Sequence, residues 1–297
     1  MVIVIDTNVV SNLSCRVECH EVVELLRRSG AFLTVPETIV EEVIRTSDPL
    51  VRAKLSRTLV DLLDDCPVLA HLWNQLTWGG QRFLCGEIAF KPFTAVGTDS
   101  LKTHLRNGDT LRPCALEQLQ EKKNKQVHTW DTMHAQGRLR FQEILEKDKL
   151  IPDPATWIAT MLKSEVLRNI MLESVFNHTE RELLRPRWQE YIAWNPICRS
   201  FLELFLLAIR RHAIEHETAG SRNGPKWEDY YIGAFVGIAD RFVTDDTRLR
   251  SALDQHRKYR GRVRWETVSL KEFLGDLHGG KLRSDGRQML EVLPAQV

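Results

Sequence analysis

Four apolar residues run from Val2 to Ile5 and stop at Asp6. So short and β-branched a run, without polar alternation, is the pattern of a strand buried on both faces, as in a parallel sheet. Parallel strands need long, right-handed crossovers, so the rest of such a chain must alternate between strand and helix. The run also gives Asp6 an address. It stands at the carboxyl end of its strand, the edge along which open α/β sheets hold their ligands.

The two ends of the chain meet that demand. After Asp6 come a short turn, a helix-like stretch Glu21–Arg28 ending at Gly30, and "AFLTV" as a second buried strand. Pro36 then opens the helix "PETIVEEVIR", and residues 50–74 read as an amphipathic helix with Leu55, Leu59, Leu62 and Leu63 on one face. Near the other end, "WEDYYIGAFVGIA" reads as a helix, "DRFVT" as a strand, "DDTRLRSAL" as a turn and helix, and "RVRWETVSLKEFL" as a last strand and helix.

The middle has a different texture. Residues 75–114, with "TWGG", "FKPF" and "VGTDS", read as irregular, and 115–148 as one long charged helix. Three more helices are expected near 155–174, 179–193 and 197–218, with "TAGSRNGPK" at 218–226 as the clearest linker. The predicted fold class is α/β: one Rossmann-like parallel sheet domain in two halves, 1–74 and 196–297, split by a mostly helical insertion at 75–195.

A net charge of +1, from 41 basic and 40 acidic residues, announces no nucleic-acid or membrane partner, so any such partner must be met by a local patch. The six cysteines (15, 19, 66, 85, 114, 198) form no Cys-x-x-Cys pair and read as reduced thiols of a cytoplasmic protein. Cys15, Cys19 and His20 lack a nearby fourth zinc ligand. The longest apolar run, Phe201–Ile209, holds Glu203 and ends at Arg210-Arg211, too short for a membrane span.

Acids fall at comparable places in this layout: Asp6 after the first strand, Glu41 or Glu42 after the second, Glu228 or Asp229 before "RFVT", and Asp245 or Asp246 after it. Strand ends and the helices entering from that edge crowd one rim of a parallel sheet, where these carboxylates can converge. Such a cluster is tolerated mainly around a cation. Oxygen ligands without His or Cys select Mg²⁺ or Mn²⁺, which bind phosphate oxygens and acidify a bound water. A lone Asp after a strand is also the pattern of a helix N-cap, although Asn8 can fill that role here.

"VIVIDTNVVSNL", "VPETIVEEV", "WEDYYIGAFVGIADRFVTDDTRLR" and "VSLKEFL" together resemble the signature of the PIN-domain nucleases, over roughly the first 45 and the last 75 residues. The resemblance implies a Rossmann-like sheet, a divalent metal, Mg²⁺ or Mn²⁺, and endonucleolytic cleavage of single-stranded RNA that leaves a 5′-phosphate. It implies Asp6, Glu42, Asp229 and Asp246 as catalytic metal ligands, ahead of Asp245, Glu41 and Glu228, with Asn8, Ser11 and Thr244 supporting them. The insertion has no counterpart in the family. It is expected to restrict substrate access or to bind a partner: an inhibitor, a regulatory protein or a second copy in a homodimer.

"RLRSALDQHRKYRGRVRW" carries Arg248, Arg250, Arg257, Lys258 and Arg260, with His256, Tyr259 and Trp265 interleaved. It reads as a phosphate grip beside the acidic rim, with aromatics for base stacking. Asp245, directly after the strand, is expected to cap the helix that follows and to leave Asp246 as the ligand. "HAIEH" (His212, Glu215, His216) fits the inverted zinc-protease pattern, and "HTWDTMH" (His128, Asp131, His134) is a second cluster; both are explained more simply as solvated helix faces. A haloacid-dehalogenase-type phosphatase wants Asp-x-Asp, and this chain has Asn8. The function expected is therefore a metal-dependent endoribonuclease in a toxin, defence or processing role, the alternative being a catalytically inactive PIN-like scaffold that binds RNA or protein.

Overall fold

The apolar run at the amino end is the middle strand of a five-stranded, all-parallel sheet. The computed structural model describes residues 1–15, 19–63, 66–95, 98–107, 153–214, 227–260 and 263–282, with scattered positions between 117 and 135, and backbone alone at 98, 100, 101, 104, 107, 211–214, 227 and 228. The strands are β1 (Val2–Ile5), β2 (Phe32–Pro36), β3 (Val68–Leu69), β4 (Arg241–Val243) and β5 (Glu266–Val268), in the order β3-β2-β1-β4-β5. Strand β1 is buried along its whole length, pairing Val4 with Thr34 of β2 and Phe242 of β4. The chain winds outward from β1 in one direction, returns, and winds outward in the other. The reversal between β1 and β4 is the topological switch point of the sheet.

Helices α1 (Thr7–Ser14), α2 (Cys19–Ser29), α3 (Glu37–Ile44) and α4 (Pro49–Leu63) belong to the first half. No turn separates Asp6 from α1. The helix starts at Thr7, and Val9, Val10 and Leu13 form its buried face. The helix expected over 50–74 ends at Leu63, and Val68–Leu69 is a third strand. Two residues of strand leave no period to read. Its outer edge is closed by an antiparallel bridge from Leu69 to Thr94, with Ala70 N donating to Phe93 O at 2.8 Å.

The segment read as irregular contains α5 (Leu72–Leu84) and α6 (Thr98–Asn107). Thus "TWGG" lies inside a helix, and the 74/75 boundary falls within α5. The two glycines serve packing. A Cβ on Gly79 would come 2.6 Å from Asn195 Nδ2, and one on Gly80 would collide with the Phe176 ring. The helices α7 (Pro154–Leu162), α8 (Glu165–Val175), α9 (His178–Leu184), α10 (Trp188–Trp194) and α11 (Pro196–Ile214) follow. Two expected helices are each split: at Ser164, which caps α8, and at the joint holding Pro186. Described positions from 117 to 135 are helical, and the remainder of the long charged helix lies outside the described residues.

The apolar run of α11 is a core helix, buried from Phe201 to Ile209. It packs against α12 (Trp227–Gly233), the 3₁₀ turn Ala234–Gly237 and α13 (Thr247–Arg260). The last helix is α14 (Leu270–His278). Among the described residues, no single helix is long and apolar enough to cross a membrane. A Cβ on Gly237 would run into the Pro196 carbonyl oxygen at the head of α11. Backbone cannot swing aside as a side chain does, so Gly237→Ala should destabilise by about 3 kcal/mol, read as a lower urea midpoint at unchanged slope.

Candidate functional site

Asp6 caps α1 from the end of β1. Its Oδ1 accepts from Thr7 N at 2.6 Å, and its Oδ2 accepts from Asn8 Nδ2 at 2.8 Å and from the Thr244 hydroxyl at 2.8 Å. Thr244 directly follows β4, which lies beside β1, so the sheet brings together residues 238 positions apart. Thr244 Oγ1 also accepts from Asp246 N at 3.0 Å, and Asn8 Oδ1 accepts from Asp245 N at 3.1 Å. Asn8 is thereby fixed in one orientation, nitrogen to the carboxylate and oxygen to the backbone.

Burial pushes the Asp6 carboxyl above its ordinary value, and the charge of Asp246 pushes it the same way; hydrogen bonds from Thr244, Thr7 and Asn8 oppose them without prevailing. Thr244 thus ties the buried first acid to the backbone of the last, and the charge of Asp246 acts on Asp6 at the switch point.

The capping roles are the reverse of those expected. Asp246 Oδ1 accepts from Arg248 N at 2.7 Å and from Leu249 N at 3.0 Å, so Asp246 caps α13. The strand ends at Val243 and the helix begins at Thr247, which puts the cap position on residue 246 rather than 245. Asp245 Oδ1 accepts instead from Leu270 N at 2.9 Å, and its Oδ2 from Asn12 Nδ2 at 2.7 Å. Both oxygens of Asp245 are therefore engaged. Asp246 Oδ2 makes no hydrogen bond among the described residues.

Glu42 reaches the same corner by accepting from the Thr7 hydroxyl, and Glu41 is the more buried of the two neighbours. Asp229 is half-buried in the first turn of α12, and the side chain of Glu228 lies outside the described residues. Ser11 is exposed, and its carbonyl accepts from Ser14 Oγ at 2.7 Å. Among the described residues, no three His, Cys, Asp or Glu side chains stand close enough together to hold a metal ion. The four acids therefore do not form a ready cage; the arrangement links Asp6 to Asp246 through the Thr244 hydroxyl, and brings in Glu42 through Thr7. A pair suffices for Mg²⁺, which keeps several waters and is held by one or two carboxylates plus substrate phosphates. The donors are hard oxygens, the chemistry such a cation selects.

Three polar residues of this rim were missed in the sequence. Thr7 and Asn12 lie on α1 beside residues that were singled out. Glu37 follows β2 as directly as Asp6 follows β1, and its Oε2 accepts from His71 N at 3.1 Å. The signal for Glu37 was its place immediately after a strand.

The basic stretch divides in two. Arg260 Nε lies 3.6 Å from the buried carboxylate of Glu203, and Arg260 Nη1 donates to Ser200 Oγ at 3.2 Å. His256 is buried against Glu203 and stacks on Trp265, itself buried, at 5.6 Å between ring centroids. These rings are core, unavailable for base stacking, and Arg260 serves a carboxylate. Arg250 pairs with Glu272 at 2.9 Å. Arg248, Arg257 and Lys258 are exposed. However, Arg257 and Lys258 lie in the last turn of α13, roughly 16 Å along its axis from Asp246, where cations favour the helix dipole.

His128 and Asp131 are exposed, while His134, Glu215, His216 and the side chain of His212 lie outside the described residues. Cys15, Cys19, Cys66, Cys85 and Cys198 are free thiols; Cys114 lies outside the described residues. No family model, no curated protein and no solved structure matches this chain.

Proposed function

We propose that this protein is a divalent-metal-dependent endoribonuclease of PIN-like type. The observation that carries the reading is the hydrogen-bonded corner at the switch point of a parallel sheet, where Asn8 and Thr244 donate to Asp6 and the same Thr244 hydroxyl accepts from Asp246 N. Asp6 and Asp246 would hold Mg²⁺ or Mn²⁺. Glu42 and Asp229 complete the ligand set that the family resemblance implies. When bound, such a cation supplies charge to phosphate oxygens and an acidified water. The chain's own residues do the rest. Thr7 N, Asn8 and Thr244 orient the Asp6 carboxylate, and the helix start held by Asp246 fixes the second acid.

Purified full chain incubated with single-stranded RNA and DNA, with Mn²⁺, Mg²⁺ or chelator, tests this. Cleavage of RNA that needs the metal and leaves 5′-phosphates is expected; no cleavage, or cleavage indifferent to chelator, overturns it. A second reading, an inactive scaffold that binds RNA or protein, draws on the missing three-donor group among the described residues. Calorimetry decides between them, because the scaffold binds RNA without binding Mn²⁺.

Arg257 and Lys258 would grip phosphates flanking the cut rather than the scissile one. Reversing both to Glu should lower RNA affinity at low salt and flatten its salt dependence by roughly 1.4 in log–log slope. Unchanged binding would reduce them to a solvated helix end. Arg260 is left out of that variant because it answers Glu203.

A further inference from the structure

We propose that Asn12 and Asp245 form a brace that positions Asp246 against Asp6, which makes both of them positioning residues of the metal site; this rests on the nuclease reading. Asn8 and Asn12 are one turn apart on α1, on the same side of the helix. From there they hold Asp245 twice, Asn8 Oδ1 at its backbone N–H (3.1 Å) and Asn12 Nδ2 at its Oδ2 (2.7 Å). The remaining oxygen of Asp245 takes Leu270 N at 2.9 Å. Residue 245 is therefore pinned to the helix that starts at Asp6 on one side and to the start of α14 on the other.

The start of α14 is itself tied down. Ser269 and Glu272 form a capping box there, and Glu272 pairs with Arg250 of α13 at 2.9 Å. The only chain between this pinned residue and α13 is Asp246. Asp246 itself is held by its cap on α13 and by Thr244 Oγ1, and Asp245 adds the anchor on its other side, to α1 and α14. An acid directly beside a proposed ligand, tied to α1 through one oxygen and to α14 through the other, contributes by holding the backbone between them.

The brace separates from mere stability because one solvent-exposed hydrogen bond contributes little to folding, whereas partners that orient a metal ligand are typically worth 10–100-fold in affinity. The probe is Mn²⁺ alone, followed by electron paramagnetic resonance on the full chain well below its melting temperature. Asn12→Ala should weaken Mn²⁺ about tenfold with little change in Tm. Asp245→Ala, which removes both acceptors, should weaken it at least as much. The double exchange Asn12→Asp with Asp245→Asn restores a donor–acceptor pair and leaves an oxygen for Leu270 N, so affinity should return to within about threefold of wild type. Wild-type affinity in either single variant, or no recovery in the double, overturns the brace and leaves the nuclease reading standing. A wild-type chain that binds no Mn²⁺ is a different result: it removes the metal site and the brace's role together.

Discussion

Asp6→Asn is expected to reduce RNA cleavage by at least three orders of magnitude while the chain stays folded, since an amide is a poor ligand for a hard cation. Stability should change little, because two effects oppose. Ionised Asp6 is disfavoured by burial and by Asp246, so removing its charge is favourable. But the two oxygens of Asp6 accept from three donors, and an amide there turns a donor towards Asn8 Nδ2 and strands the Thr244 hydroxyl. Each effect is of the order of 1–3 kcal/mol, leaving a net change within about 2 kcal/mol. The pH dependence identifies the first effect. With a folded-state pKa above the unfolded value, ionised Asp6 costs stability at neutral pH, and that cost is relieved as pH falls through the folded value. The wild type should therefore gain on the variant as the solution is acidified. Mn²⁺ binding should weaken over the same window, which lies above the ordinary carboxylate range. Retained cleavage in the variant would refute the site.

Glu203→Gln should destabilise by about 3 kcal/mol at neutral pH in urea unfolding, as much as the substitution at Gly237. Burial raises the carboxyl of Glu203, but its bond and charge interaction with His256, the charge of Arg260 and the bond from Arg199 at 2.9 Å outweigh it and hold the pKa below its ordinary value. Removing the charge leaves the half-buried Arg260 without its counter-ion. Because the folded pKa is depressed, this stabilisation is fully present above the unfolded value near 4.5 and is lost as pH falls through the folded one. The gap between wild type and variant should close in acid. A difference under about 1 kcal/mol at pH 7 would mark the cluster as energetically inert.

Periodicity and position made much of this fold legible. Strands β1 and β2 carry apolar runs between turn signals, and Asp6 stands out by its place at a strand end, while Asn8 and Thr244 follow from the family resemblance. What escaped notice depended on partners distant in sequence. Gly79 and Gly80 look like helix breakers until Asn195 and Phe176 are seen pressed against them. The cap passed to Asp246 because Leu270, at the far end of β5, had already claimed Asp245. Arg260 and His256 were readable after all: Leu249, Leu253, His256 and Arg260 recur at helical spacing and continue the buried stripe of α13. The density of positive charge masks that period.

The strand order has a consequence for how the protein comes into being. The central strand emerges first in synthesis, yet one of its two neighbours in the sheet is made some 238 residues later. Until then β1 has only β2 at its side, and Asp6 lacks both Thr244 and Asp246. Pairing over so long a loop is slow, and it follows the elements whose contacts are local. The helices of the middle region thus have time to form first, and the switch point closes last. On the nuclease reading, a chain halted on the ribosome before β4 would carry the first proposed ligand without the last, and cleavage would await the closing of the sheet.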